Sequence, residues 1–159
     1  MAKTEQTSVK TIAETTATSP QTKAVVKGPD KSGFYWGTGR RKTSVARVRL
    51  KPGEGKLVIN KKTLDVYFRS DQDRKAVISP LTVAKAEKSF DIFVNVRGGG
   101  TTGQAGATML GVARALRTYD PTLAQALRDG GYLTRDPRMV ERKKPGQSGA
   151  RKRYQFSKR

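Results

Sequence analysis

The sequence contains no cysteine and no histidine among its 159 residues. Disulfides, thiolate nucleophiles, zinc sites of the usual ligand sets and imidazole acid–base mechanisms are thereby excluded. The lack of thiols fits a reducing cytosol. No stretch of 18 apolar residues occurs, so nothing in the sequence spans a bilayer as a helix. Acidic residues are scarce as well, with 13 Asp and Glu against 33 Lys and Arg and a formal net charge of +20. That much self-repulsion works against compaction and implies a polyanionic partner. Nucleic acid is the commonest such partner, and an anionic membrane surface is the alternative. The opening residues, Met1 to Glu5, lack the basic-then-apolar order of a signal peptide. Residues 1–33 hold no Arg, which argues against a mitochondrial transit peptide.

What is present falls into three zones. Residues 1–33 are rich in Thr and Ser with few bulky apolar groups, and read as a disordered extension. Residues 34–133 carry the core signal. Ala46, Val48 and Leu50 alternate with Arg47 and Arg49, the period-two pattern of a half-buried strand. A turn at 51–55 leads to residues 56–60, which read as the return strand of a hairpin. A short helix over 64–68, capped by Thr63, should follow. Asp71 or Asp73 could cap the next helix, which Pro80 should end or kink. Residues 90–96 form the clearest buried strand. Ala105, Met109, Val112 and Leu116 make an apolar helical stripe. Asp120-Pro121 then reads as a cap with proline at the first helical position, and Gly130-Gly131 as the stop of a last helix. Strands first and helices later indicate an α+β sandwich, a mixed or antiparallel sheet with helices on one side.

Beyond Leu133 the core signal ends. Residues 134–159 hold ten Lys or Arg and two acids, without helical or strand period. A domain of about 100 residues has a radius of gyration of about 13 Å. Fully extended, this cationic tail could reach roughly 90 Å.

Three segments carry chemistry. Gly98-Gly99-Gly100-Thr101-Thr102-Gly103 lies between a strand and a helix and formally matches a dinucleotide-binding turn. The context fails that reading, because the acid about twenty residues on, Asp120, sits in a helix junction instead of ending a second strand. A P-loop fails too, since Gly103 is followed by Gln104. Gly103, Ala107, Gly111 and Ala115 leave one helix face bare, open to the sheet or to an RNA strand, and Arg97, Arg114 and Arg117 flank it. The second segment, residues 37–43, is a Gly-flanked loop whose Arg40, Arg41 and Lys42, with Arg47 and Arg49, suit phosphate contacts. Phe34, Tyr35 and Trp36 could stack on bases, though ordinary strand packing accounts for them. The third is the tail, with Arg135, Arg138, Arg142, Lys143, Lys144, Arg151, Lys152 and Arg153 and the aromatics Tyr154 and Phe156. Such a segment orders in RNA grooves. Ten phosphate contacts would weaken binding by on the order of 10⁵ between 50 and 200 mM salt. The scattered acids propose no nucleophile–base pair, and capping explains Asp71-x-Asp73 more simply than a cation does. No cofactor, no metal and no enzymatic activity are expected.

Four blocks together resemble a known family. They are Gly37 to Lys42, the run from Gly98 through Gly103-Gln104, Ala107 and Gly111 to Leu116, the pair Leu133 to Asp136 and Val140 to Lys144, and the ending Gln155 to Arg159. In this order they are similar to the bacterial branch of the S-nine family, the ninth protein of the small ribosomal subunit. The likeness covers residues 34–159 and leaves 1–33 unassigned. It implies a fold like the second domain of the small-subunit protein S-five. It also implies a place in the head of the cytoplasmic small subunit, on the 3′ domain of 16S ribosomal RNA, among neighbouring head proteins. The glycine turn Gly98, Gly99 and Gly100 and the cations above would then meet ribosomal RNA. Lys158 and Arg159 would touch the anticodon stem-loop of P-site tRNA. The choice of RNA over DNA rests on this likeness, since a nucleoid-type DNA-binding protein would share the charge.

Overall fold

A computed structural model of the protein describes residues 28–157. Five strands form one open sheet: β1 (Tyr35–Arg41), β2 (Ser44–Pro52), β3 (Leu57–Ile59), β4 (Lys62–Thr63) and β5 (Phe90–Arg97). The order across the sheet is β1-β2-β5-β3-β4, antiparallel except for the parallel pair β3–β5. Four helices complete the domain: α1 (Leu64–Tyr67), α2 (Asp71–Val83), α3 (Thr101–Tyr119) and α4 (Ala124–Asp129), the last preceded by a 3-10 turn at Pro121–Leu123. This is the mixed-sheet α+β fold expected.

Residues alternate faces along a strand, and here the alternation divides the sheet cleanly. Ala46, Val48, Leu50, Ile92, Val94 and Val96 are buried on the helix side. Val112, Leu116, Val77 and Leu81 close over them from α3 and α2. The expected stripe on α3 is therefore real but too narrow. Gly103, Ala105 to Thr108, Leu110 to Ala113, Ala115 and Leu116 are all buried, so the helix is enclosed on nearly every side.

The bare face of α3 meets the sheet. A Cβ placed on Gly37 would lie 2.1 Å from the Gly111 carbonyl oxygen, and one on Gly39 would lie 1.8 Å from that of Ala107. Backbone meets backbone here, which only glycine permits. Residues 35–41 are thus an edge strand, where the sequence pattern suggests a loop. Its glycines mark close packing rather than irregularity.

The expected hairpin of β2 with residues 56–60 does not form. The chain leaves β2, and the Asp91 carboxylate accepts from the amides of Glu54 (3.1 Å) and Lys56 (2.9 Å). The turn thus passes over the start of β5, and β3 emerges on the far side of that strand. β5 pairs with β2 over eight residues and with β3 over three. The strand with the most apolar residues takes the centre, where both edges are satisfied.

Helix ends also depart in detail. Thr63 precedes α1 and Ser70 precedes α2, neither with a side-chain capping bond, while Asp71 and Asp73 sit in the first turn, where the helix dipole favours them. Pro80 does not end α2. The Ser79 hydroxyl donates to the Ala76 carbonyl (2.9 Å), the acceptor a proline leaves without its helical donor. Asp120 does cap as expected, accepting from the Thr122 amide at 2.9 Å. Gly131, at φ +74°, follows the end of α4.

Candidate nucleic-acid interface

The three glycines at 98–100 sit against the β1–β2 hairpin. Gly98 and Gly99 both have positive φ (+76° and +66°). A Cβ on Gly98 would lie 2.7 Å from the Thr43 carbonyl oxygen, and one on Gly99 would lie 2.1 Å from Ser44 Oγ. Ser44 and Gln104 both donate to the Gly98 carbonyl, at 3.0 and 3.1 Å. Gln104 accepts in turn from the Tyr67 hydroxyl (2.7 Å), which accepts from Asn60 (3.2 Å). Asn60 clasps the main chain of Val96, donating to its carbonyl and accepting from its amide, each at 2.9 Å. One polar relay therefore runs from the β3–β4 turn to the glycine turn. Gly98, Gly99 and Gly103 lie against protein, and Gly100 alone faces open space, as the residue before α3.

The cations read together at 40–42 diverge. Arg40 alternates to the side of the sheet away from the helices, in a row with Val45 and Arg97. Lys42 occupies the hairpin tip at φ +50° and is exposed. Arg41 folds back over Gly106, where an added Cβ would lie 2.4 Å from its Cδ. Its guanidinium reaches Asp136 at 3.2 Å. Arg41 is thus a tether for the root of the tail rather than a free cation. Arg40, Arg41 and Arg135 line one cleft of about 330 Å³, together with Met109 and Leu110.

Asp136 is held far below the usual carboxylate range. The leading cause is the Arg138 side chain, whose Nε and Nη2 bond it at 3.1 and 2.9 Å, with Arg41 adding a further charge. Glu141 closes a second loop in the tail through Arg151 (2.8 Å) and Lys144 (3.2 Å). Its carboxyl is lowered too, chiefly by the Arg151 hydrogen bond. The tail has no local period in sequence, yet its two acids loop it. Arg138, Lys144 and Arg151 are occupied within it, while Arg135, Arg142, Lys143, Lys152 and Arg153 are exposed and meet no carboxylate among the described residues. Exposed pairs of this kind are weak and exchangeable for phosphate.

On α3, Arg114 donates to the Thr38 carbonyl at 2.7 Å, bracing the edge strand. Arg117 is exposed in the last turn. Arg47, Arg49 and Arg97 point to the uncovered side of the sheet. Lys158 and Arg159, the expected tRNA contacts, lie outside the described residues.

Of the aromatics on that uncovered side, the sequence reading names Phe34 and Trp36 as able to stack on bases and misses Phe93, which it leaves in a buried strand. Trp36, Arg49 and Phe93 form one row across β1, β2 and β5, with Phe34 edge-on to Phe93 at 6.1 Å. The signal is present in residues 90–96, where Asp91, Phe93 and Asn95 alternate against Ile92, Val94 and Val96.

An α+β domain with arginines along a bare sheet face and a looped cationic tail is a polyanion-holding scaffold. Residues 39–159 match the model of the family described as Ribosomal protein S9/S16. A relative from Rickettsia bellii, "Small ribosomal subunit protein uS9", is 50% identical over 141 residues, 86% of each chain. Proteins of the same description from Rhodopirellula baltica and Chlorobaculum tepidum are 53% and 55% identical. Those alignments take in 84% and 76% of this chain and 98% and 94% of the relatives. The chain belongs to the Ribosomal protein S9/S16 family. It is a structural component of the small subunit of the cytoplasmic ribosome, serving translation, and not an enzyme.

Proposed function

We propose that the chain holds 16S ribosomal RNA in the head of the small subunit and steadies P-site tRNA with the tip of its tail. The globular residues 34–133 dock on folded RNA, among neighbouring head proteins, and residues 134–159 neutralise phosphates beyond it. No role is assigned to residues 1–33. The observation that carries the reading is the distribution of charge. Cations unmatched by carboxylates cover the bare sheet face and the hairpin tip, and recur along a tail that starts from a fixed point at Asp136. Arg40, Arg41, Lys42, Arg47, Arg49, Arg97, Arg114 and Arg117 are the contacts on the domain, Arg41 and Arg114 beside the protein partners they already hold. Arg135, Arg142, Lys143, Lys152 and Arg153 extend them. Arg138, Lys144 and Arg151 join once phosphate replaces their carboxylates, and the turn Gly98 to Gly100 meets the RNA backbone at Gly100, the one of the three that faces open space before α3. Lys158 and Arg159 grip tRNA phosphates without reading sequence, as a protein serving every tRNA must.

The test is co-sedimentation of the tagged chain with ribosomal subunits across a salt series. Retention in the small-subunit peak after a high-salt wash is expected. Shedding at moderate salt, or migration with DNA, would overturn the RNA assignment. Deleting Lys158 and Arg159 should spare subunit assembly and weaken P-site tRNA, and unchanged tRNA affinity in such subunits would sink the tip's role.

A further inference from the structure

The side of the sheet that no helix covers is more than a basic surface. Trp36, Arg49 and Phe93 stand in register across three strands, and Thr38, Arg47 and Asn95 form the next row. The Arg49 guanidinium lies 5.7 Å from the Phe34 ring, 5.8 Å from Trp36 and 5.9 Å from Phe93, and Arg47 lies 5.8 Å from Trp36. These are cation–π contacts near the outer limit of their range, with Arg49 shared among three rings. Trp36 keeps 44% of its surface exposed. No ion pair among the described residues involves Arg47, Arg49 or Arg97. The carboxylate that β5 places on this side, Asp91, stands in the row next to Arg49 and Phe93, opposite Lys51, and is engaged by the amides of Glu54 and Lys56.

Charge alone would suit any phosphate backbone. Flat aromatic rings interleaved with guanidinium planes suit something narrower, because a base-paired stack presents only edges and phosphates. An unpaired base can lie flat on an indole or a guanidinium while its phosphate meets the neighbouring arginine. We infer that this open face is a stacking platform for an unpaired nucleotide of RNA, seated on Trp36 with Arg47 and Arg49 beside it. The inference rests on the RNA-binding reading above and deepens it, adding a site for single-stranded RNA to contacts with phosphate.

The chain contains one Trp, so its emission reports on this face alone. The full chain is titrated with a short oligouridylate, and separately with duplex RNA of equal phosphate number, poly-glutamate and phosphatidylserine vesicles. The salt is set high enough to suppress phosphate contacts by the tail. Quenching of Trp36 by the oligouridylate alone is expected. Removing a stacking ring costs about 1–3 kcal/mol per base, roughly 5- to 150-fold in affinity. Trp36→Ala should therefore lose that much affinity for labelled oligouridylate, Trp36→Phe should keep most of it, and Arg49→Gln should weaken it with the fold intact. Equal quenching by duplex would overturn the inference, as would parental affinity in Trp36→Ala. Equal quenching by poly-glutamate or by vesicles would reassign the face to an acidic protein segment or a membrane. A chain that enters subunits but shows no quenching refutes the platform alone. A chain that is quenched but never enters subunits refutes the ribosomal docking alone.

Discussion

On the open sheet face, arginines are fixed by strand register, with backbone hydrogen bonds on both sides of β2 and no opposing carboxylate within reach. In the tail, cations of the same kind stand on loops held by ion pairs and a few backbone bonds among residues 144–152. Asp136 gathers Arg41 and Arg138, and Glu141 gathers Lys144 and Arg151. The first arrangement has one geometry and suits a partner of matching shape. The second is made of exposed pairs that phosphate can displace, so it can adapt to whatever groove it enters. In the function proposed above, the task of holding RNA is divided between a rigid surface and a compliant one.

The largest effect should come from Gly39→Ala, which destroys the rigid half. The new Cβ would meet backbone atoms of Ala107 and Gly111 on α3, and neither can swing aside as a side chain could. A loss on the order of 3 kcal/mol is expected from such overpacking, measured by thermal or denaturant unfolding. Remaining RNA binding should then be that of the tail. An unchanged melting temperature would show that β1 and α3 can separate, and the contrast between rigid and compliant halves would weaken.

Next in size is truncation after Leu133, which removes ten cations and two acids. The domain's stability should change little, since the buried core lies before that point. The slope of log affinity against log salt should flatten by up to about 0.9 for every phosphate that the tail neutralises in the full chain. A stable domain with an unchanged slope would mean that the tail carries no phosphate contacts.

The smallest effect concerns the tether. Asp136 has a lowered carboxyl in the folded chain, so its contribution is complete above the ordinary value of about 3.9 and is lost as pH falls below that towards the lowered one. At neutral pH, Asp136→Asn should free the tail root and leave the sheet face untouched. The Arg138 Nε–H resonance should shift in the variant at neutral pH, and in the parent only in strong acid. A parental resonance that moved near pH 4 would show that the tether does not hold in solution.

How far the sequence discloses this molecule follows from the range of the forces involved. β2, β5, the apolar stripe of α3 and the Asp120 cap are legible because alternation, helical period and capping are local. β1 is not, because Gly37 and Gly39 look like breakers until α3 supplies the backbone they pack against. The split hairpin is hidden for the same reason, since the strand that parts β2 from β3 begins at Phe90. The continuation of α2 past Pro80 turns on a single hydroxyl. For the site, residue types are legible and their company is not. Arg41 reads as an unpaired cation until Asp136 is seen 95 positions on, and Phe93 reads as core until its neighbours on the strand are assigned to faces.

The relay from Asn60 through Tyr67 and Gln104 to the Gly98 carbonyl has a consequence for kinetics. A glycine-rich turn is ordinarily the most flexible part of a chain, and a partner that must first arrest it binds more slowly and less tightly. Here the turn is braced from two strands and two helices, so its freedom is surrendered when the domain folds. On the proposed reading an arriving RNA strand finds the shape already made, and docking of the core should run close to the rate at which the two molecules meet.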